Sequence, residues 1–592
     1  MHVTTNAPHL LLTIISTILF LTGSALQHQR PDASSCIHSE RAALLSFRKG
    51  VTFDHTNRLA TWHGQDCCRW KGVKCSNETG HVLELRLRNE NTNLDFMDAC
   101  NDENALSGQI SSSLLSLEHL EHLDLSGNCV VEYGKNIPSF LGSMKNLRYL
   151  NLSFIPSIGE VPPQLGNLSR LQYLDLGFND INSNKYSLDI SWLKNLQLLQ
   201  YLSMRRVNLS QLELSSNSFY HEIAYSWFWK ATSLKYLDLS DHGFFGEFHD
   251  ALENMSSLQV LDLSFIFQNN LVMKGNYKNL CSLEILDLSF NELQLGLNNF
   301  TGTLPNLMGH FTNLIILDLT DNNLIGSIPM ELGYLSGLTT LHLGYNHLNG
   351  TVPTKIGGLA NLISLDLSNN KFDGIITDEH FADQIGGTIP ESFCTLKELL
   401  DLDLSSNALE GEIPHCFEFK DITFLQLSNN SLSGHFPAFL RKCTYLGFLD
   451  LGWNKLFGSL PEWIGEVNKL QFLRLSHNIF SGNIPIEITN LNNLQYLDLS
   501  GNDISGSIPP HLSNLTGQEL IYGDGLAYYT GIDLSGNSLA GEIPLDITSL
   551  DALINLNLSS NNLSGKIPNK IGAMQSLESL DLSKNKFFGE YQ

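Results

Sequence analysis

Residues 449–502 read LDLGWNKLFGSLPEWIGEVNKLQFLRLSHNIFSGNIPIEITNLNNLQYLDLSGN, and the reading of this stretch decides the fold. Leu449, Leu473 and Leu497 open three copies of one pattern, 24 residues apart, and the copies end their first part at Asn454, Asn478 and Asn502. In Leu-x-Leu, alternate side chains of an extended chain point the same way, so both leucines enter a core while the residue between them and the residue before them face outward. Each copy therefore holds one short strand. The asparagine three residues after the second leucine has an amide that satisfies backbone groups where the chain bends. One such coil cannot enclose its own leucines, so neighbouring coils stack and their strands align as one parallel sheet.

The pattern extends outward in both directions. LDLSGN ending at Asn128 recurs as LDLGFN at Asn179, LDLSFN at Asn291, LDLTDN at Asn322, LHLGYN at Asn346, LDLSNN at Asn370, LDLSSN at Asn407 and LQLSNN at Asn430. Beyond the opening stretch follow IDLSGN at Asn537, LNLSSN at Asn561 and LDLSKN at Asn585. A 24-residue period lies within the range of leucine-rich repeats. Leu293, Leu317, Leu341 and Leu365 also read as successive repeat starts. Some twenty coils with strands about 4.8 Å apart would give an inner ladder on the order of 95 Å long. The expected fold is an α/β-type solenoid, a right-handed leucine-rich-repeat superhelix with a parallel inner sheet. The regularity fails in four places. Leu202 and Leu212 lie 10 residues apart and Leu286 and Leu293 only 7, while Leu365 to Leu402 is a step of 37 and Leu497 to Ile532 a step of 35. The short steps predict degenerate joins near 202–217 and 286–300, and the long ones an irregular join at 371–401 and an insert at 503–531.

Composition excludes several function classes. The chain has 592 residues, 42% of them hydrophobic and 16% charged, with a formal charge of minus 26. That balance is folded rather than disordered, and its acidity disfavours nucleic acid and anionic lipid as partners. LLLTIISTILFL at residues 10–21, followed by Gly23, Ser24 and Ala25, is too short to span a bilayer and predicts a signal peptide over residues 1–25. No later run of about 18 apolar residues predicts a membrane span. The chain is thus expected to be exported, extracellular or apoplastic as written. Glycosylation sequons fit that route at Asn77, Asn167, Asn208, Asn254, Asn299, Asn349, Asn429, Asn514 and Asn562, with Asn151 and Asn557 in expected strands and less accessible.

After the asparagine, many coils carry Gly-x-Ile-Pro, as in GSIP at Gly326, GEIP at Gly411, GNIP at Gly482 and GKIP at Gly565. An outer strand ending at the proline is the expected structure. This motif resembles the plant-specific class of leucine-rich repeats. Cys36, the pair Cys67 and Cys68, and Cys75, set around LATW and CCRWKGVKC, resemble the plant extracellular cap over residues 26–80 that precedes such repeats, here over 81–502. Four cysteines allow three connectivities. The resemblance implies Cys36 with Cys67 and Cys68 with Cys75. Cys100 with Cys129, and Cys394 with Cys416, could bridge neighbouring coils, leaving Cys281 and Cys443 as expected buried thiols.

Nearly the whole chain after the leader resembles plant receptor-like proteins of the Cf and ethylene-inducing-xylanase-receptor type. Such proteins are cell-surface immune receptors without a kinase. The stretch GQELIYGDGLAYYTG resembles the remnant of their island region, followed by three repeats over 532–592 in place of about four. The family's carboxyl-terminal cap and membrane span have no counterpart before Gln592, which reads as a truncated or secreted form, with plasma-membrane placement for a full-length form. The resemblance implies a microbial or wall-derived protein or peptide ligand on the concave face, and a coreceptor kinase as partner. A secreted inhibitor of microbial cell-wall hydrolases, similar to polygalacturonase inhibitors, is the competing reading, and a degenerate relic without a ligand a third.

Catalytic signals are weak, and neither an enzyme nor any cofactor or metal is expected. His119 and His122 form an H-x-x-H at variable repeat positions, GDG at Gly523 lacks the rest of a phosphate loop, and the aspartates of LDLS recur with the repeat. Aromatic residues instead recur on the outward strand positions. Tyr149, Tyr173, Tyr201, Tyr236, Phe424, Phe448, Phe472 and Tyr496 precede the first leucine; Phe154, Phe178, Phe265, Phe290, Tyr345 and Trp453 follow the second, with Arg474 and His477 nearby. Aromatic and arginine side chains dominate binding energy at interfaces. They are the candidate ligand residues, weighed equally against the reading that adjacent rungs merely pack on one another.

Overall fold

The computed structural model describes residues 36–89, 100, 102–131, 136–155, 161–177, 191–205, 232–238, 240, 255–264, 280–289, 301–373, 388–417, 419–512 and 530–589. They belong to two compact units, residues 29–325 and residues 326–592, the latter grouped with 1–28. The leader at 1–25 lies outside the described residues.

In the first unit a helix, His38–Gly50, packs its Ala43, Leu44 and Phe47 face inward, Trp62 meets Phe47, and Trp70 stacks on Trp62 at the core of a cap. Disulfides join Cys36 to Cys67 and Cys68 to Cys75. The strand Val73–Cys75 pairs antiparallel with Val82–Arg86, the first rung of the parallel sheet, so the cap occupies what would be an open edge. Arg58 locks the junction: its guanidinium donates to the carbonyls of Leu87 and Asn104 and to Asn128 Oδ1 at 2.7–2.9 Å. From there the rungs are His122–Asp124, Tyr149–Asn151, Tyr173–Asp175, Tyr201–Ser203, Tyr236–Asp238, Val260–Asp262, Ile285–Asp287 and Ile316–Asp318, each parallel and in register with the next.

The register of the described rungs runs across two of the expected irregular joins. Tyr201–Ser203 pairs directly with Tyr236–Asp238, and Ile285–Asp287 directly with Ile316–Asp318. No described rung of this sheet comes between either pair, and Leu212 and Leu293 lie outside the described residues.

In the second unit the rungs run from Thr340–His342 through Ser364–Asp366, Asp401–Asp403, Phe424–Gln426, Phe448–Asp450, Phe472–Arg474, Tyr496–Asp498, Gly531–Asp533 and Asn555–Asn557 to Ser579–Asp581. The leucines fill the interior: Leu449, Leu451, Leu473 and Leu475 are at most 2% exposed. A further set of parallel strands, Ser431–Gly434, Lys455–Ser459, Ile479–Asn483 and Asp503–Ser505, lies after the asparagines. These strands stop before the proline, which instead caps a short 3₁₀ turn such as Glu462–Glu466 or Ile486–Asn490. Proline's fixed φ and missing N–H suit that first position and not a paired strand. Since Asp503–Ser505 pairs regularly with Ile479–Asn483, ordinary coil structure extends into the start of the expected 503–531 insert, whose residues 513–529 lie outside the described set.

The asparagines form a ladder. Asn478 accepts from Leu456 N–H at 2.9 Å and donates to the carbonyls of Leu451, Leu475 and Ser476 at 2.9–3.3 Å, and Asn454 and Asn502 repeat the arrangement. Bridges Cys100–Cys129 and Cys394–Cys416 also form. Cys443 is buried, its thiol pushed up to about 12 by burial, whereas Cys281 is exposed, contrary to expectation.

Candidate functional site

The outward position before each first leucine carries the aromatic residues, and in-register parallel pairing brings them about 4.8 Å apart. In the first unit, His122, Tyr149, Tyr173, Tyr201 and Tyr236 stack in sequence, ring centroids 3.8–4.1 Å apart and planes within 12° of parallel. Val260 is the next rung and closes this stair. In the second unit, Phe424, Phe448, Phe472 and Tyr496 stack at 4.2–4.6 Å. Cross-strand aromatic pairs of this kind contribute roughly 0.5–1 kcal/mol each beyond their area. The rings thus give their faces to each other and present their edges outward. Phe448, a candidate for ligand contact, is only 2% exposed; its neighbours Phe472 and Tyr496 are half-buried.

Burial sets the charge states here. It raises the Tyr149 and Tyr496 hydroxyls to about 12, with Asp124 and Asp498 adding to it respectively, so both phenols stay neutral donors. It lowers His122 to about 4, helped by the Arg86 cation. His122 belongs to the stair, while the His119 ring lies tilted against His81, whose Nδ1 is 2.8 Å from Glu40. The two histidines of H-x-x-H therefore serve different neighbours. Among the described residues the one cluster of three potential metal ligands is Cys36, Cys67 and Cys68, all within disulfides.

A second column, between the leucines, is mostly aspartate. Asp262 and Asp287 each accept the backbone N–H and hydroxyl of the serine two residues on. Asp238, Asp262, Asp287 and Asp318 lie on consecutive rungs. Burial, then the neighbouring carboxylates, raises Asp262 to about 7 and Asp287 well above the usual range; burial raises Asp175 and Asp403 to about 7 as well. A carboxyl whose folded pKa exceeds its unfolded one holds extra protons in the fold, and the stability this gives is full below about pH 4 and lost as pH rises through about 7. His122, lowered, works the other way between about pH 6.5 and 4, but it is one group against several. The thermal midpoint is therefore expected to be higher at pH 5 than at pH 7.5, and Asp262→Asn is expected to flatten the difference; a midpoint that rises with pH would contradict the assignment.

Arg474 interrupts that column in the second unit. Its guanidinium lies 3.6 Å from Asp450 and 3.3 Å from Asp498 and donates to Ser476 Oγ at 3.1 Å, and its side chain is 34% exposed. Beside it, in the bend before the ladder asparagine, Trp453 and His477 stack at 3.7 Å with φ of 55° and 52°, and Trp453 is 49% exposed. Gly501 holds the same place on the next coil, with φ of 63°; a Cβ there would sit 2.7 Å from the His477 ring. Tyr345 takes the same left-handed conformation and is 41% exposed. The coils from Phe424 to Asp498 thus bring together Phe424, Phe448, Trp453, Phe472, Arg474, His477 and Tyr496, while Tyr149, Tyr173 and Tyr236 form the separate stair of the first unit. Phe178, Phe265 and Phe290 lie outside the described residues. The Asp450–Arg474–Asp498 clasp and the place of His122 in the stair were missed by residue type alone; position within the repeat is the signal that finds both.

Comparison with known proteins matches this architecture. A leucine rich repeat N-terminal domain matches residues 37–76, and leucine rich repeats match 116–132, 312–372, 421–443, 469–491, 493–515 and 552–574. Receptor-like protein EIX1 of Solanum lycopersicum is 40% identical over 215 residues, 35% of this chain and 19% of the relative. The chain carries leucine rich repeats behind their N-terminal domain and is similar to plant receptor-like proteins. Receptor-like protein EIX2 of the same plant is 43% identical over 161 residues, 27% of this chain and 15% of its own length. The matched stretches thus span less than a fifth of either relative. The Arabidopsis receptor kinase HAESA, solved in complex with the peptide hormone IDA and the co-receptor SERK1, is 27% identical with a TM-score of 0.65 over 93% of this chain and 95% of that one. The PEPR1-AtPEP1 crystal structure is also 27% identical, with a TM-score of 0.62 over 93% of this chain and 79% of that one. Among the described residues no helix is long and apolar enough to cross a membrane.

Proposed function

We propose that this repeat protein is an extracellular recognition module that binds a microbial or wall-derived peptide or protein in plant defence, with binding and not turnover as its activity. The observation that carries this is the face built by Phe472, Tyr496, Arg474, Trp453 and His477: half-exposed aromatics around an arginine, on strands whose outward positions the core does not need. Similarity to an ectodomain solved with a peptide hormone supports a peptide-sized ligand, and its co-receptor supports a coreceptor kinase as partner. Passage through the secretory pathway would place glycans on Asn77, Asn167, Asn349, Asn429 and Asn562, all exposed; Asn151 is buried with Oδ1 accepting from Ser153. Asn208, Asn254, Asn299 and Asn514 lie outside the described residues.

The test compares wild type with Phe472→Ala/Tyr496→Ala and with Phe448→Ala in binding to fractionated microbial and plant-wall extracts. Loss of two half-exposed ring anchors is expected to weaken capture about tenfold or more, at about 1–2 kcal/mol per anchor. A thermal midpoint on the same samples separates lost contact from lost fold. Equal capture by a folded double variant would remove this face from the function.

A further inference from the structure

Among the described, exposed sequons Asn429 is set apart by its place in the coil. Asn77 lies in the turn between the cap strand Val73–Cys75 and the first rung, and Asn167 ends the 3₁₀ turn Pro163–Asn167. Asn349 and Asn562 lie on the outer strands His347–Gly350 and Asn562–Gly565. Asn429 instead stands in the bend before a ladder asparagine, the position that Trp453 and His477 hold on the next two coils. The three share one backbone conformation, with φ of 55°, 55° and 52°. Hydrogen bonds hold their coils in register. Asn429 N–H donates to the Gly452 carbonyl at 2.9 Å and Asn430 N–H to the Trp453 carbonyl at 3.1 Å. Trp453 and Asn454 repeat the two bonds to Ser476 and His477 at 2.7 and 3.2 Å. Neighbouring positions in this column are therefore about one strand spacing, 4.8 Å, apart. The His477 ring covers one face of the indole, with centroids 3.7 Å apart and planes 27° from parallel. The coil of Asn429 lies on the opposite side of Trp453, whose residue surface is still 49% exposed.

Resting on the reading that the chain passes through the secretory pathway, we propose that Asn429 carries an N-glycan whose first N-acetylglucosamine packs on the open face of Trp453, the third layer of a sugar–indole–imidazole stack. In the transfer, the bond from Nδ2 to C1 of that sugar forms as the C1–O bond to a lipid-pyrophosphate donor breaks. The pyrophosphate leaves with the electron pair, and the amide nitrogen gives up one of its two protons. A pyranose bears hydroxyls around its edge and C–H bonds on its faces, and the negative face of an aromatic ring attracts such C–H groups. Carbon atoms pack best at about 3.5–4 Å, which the single strand spacing between Asn429 and Trp453 accommodates. Asn429 Nδ2 also donates to Ser406 Oγ on the preceding coil at 3.2 Å. A glycosylated amide keeps one N–H, enough to retain that bond. The sugar becomes a wall of the ligand face at Trp453 and leaves Phe472, Arg474 and Tyr496 to meet the ligand.

The test produces the full chain in a plant secretory host treated with a mannosidase inhibitor, so that its glycans stay oligomannose, beside Ser431→Ala, which removes the sequon and keeps Asn429. Peptide mass spectrometry reads glycan occupancy, and hydroxyl-radical footprinting reads oxidation of Trp453. Asn429 is expected to be occupied, and Trp453 to be oxidised about threefold faster in Ser431→Ala, where the indole loses one covering face. Endoglycosidase H leaves only the first N-acetylglucosamine and is expected to leave Trp453 protected, because that sugar is the one that stacks. Trp62, 0% exposed, is the internal control, since unchanged oxidation there shows that both proteins are folded. If Ser431→Ala proves unstable, Asn429→Gln decides, and it must give the same gain in oxidation. Asn429 bare while Asn349 and Asn562 are occupied, equal Trp453 oxidation with and without the glycan, or protection lost on trimming to one sugar would overturn the stack and leave secretory passage standing. Glycan on none of these asparagines would overturn both that passage and the stack resting on it.

Discussion

Asn478→Ala is expected to destabilise the second unit by about 3 kcal/mol, because it leaves one buried N–H and three carbonyls with lost partners and each unmet buried group costs roughly 1–3 kcal/mol. The side chain is 8% exposed and bonds to two coils at once: its Oδ1 serves Leu456 of the preceding coil, its Nδ2 serves Leu451 there and Leu475 and Ser476 in its own. Water cannot replace those partners without entering the coil. The effect is local, since each coil touches chiefly its neighbours. The Leu456 amide is expected to exchange about a hundredfold faster, read by hydrogen exchange, and the guanidinium midpoint of the unit to fall. Asn493→Ala is the control: its amide also bonds a carbonyl, Asn468 at 2.6 Å, but in an exposed setting. It is expected to cost under about 0.5 kcal/mol. Equal effects from the two variants would show that the ladder does not hold the coils together.

The second large effect is expected from Cys36→Ser/Cys67→Ser. This bridge closes a separation of 31 residues around the cap, for which chain entropy gives about 3.5 kcal/mol. The loop it closes contains Phe47 and Trp62, both 0% exposed, and Arg58, which ties the cap to the first coils. Loosening the cap therefore frees the end of the asparagine ladder at Asn128 and uncovers the first rung, Val82–Arg86. Secretion yield should fall several-fold and thermal unfolding of the first unit should move well below wild type, followed by the fluorescence of Trp62 and Trp70. An unchanged midpoint would mean that the cap is held by its apolar contacts alone.

Much of this was legible in the residues because the repeat is a local code. Leu449, Leu473 and Leu497 announce their rungs by spacing, and Asn454, Asn478 and Asn502 announce the bends. Gly-x-Ile-Pro marked the outer strands but misplaced their ends, since proline prefers to begin a 3₁₀ turn over ending a paired strand. The aromatic positions were legible as outward-facing, yet their exposure was not. Phe448 looks in sequence like its neighbours and is buried, whereas Phe472, which likewise has a ring on each side, is half-buried.

The sequence by itself determined the coil, its leucine interior and which residue types stand on the outward positions, because each depends on contacts within about two dozen residues. Only the tertiary structure decided which leucine pairs become rungs, that Leu202 is followed by Leu237 and Leu286 by Leu317, and that Arg474 is clasped by Asp450 and Asp498. Those facts are set by the neighbouring strand, which lies a few ångströms away in space and a variable 23 to 38 residues away along the chain, a separation no local pattern encodes.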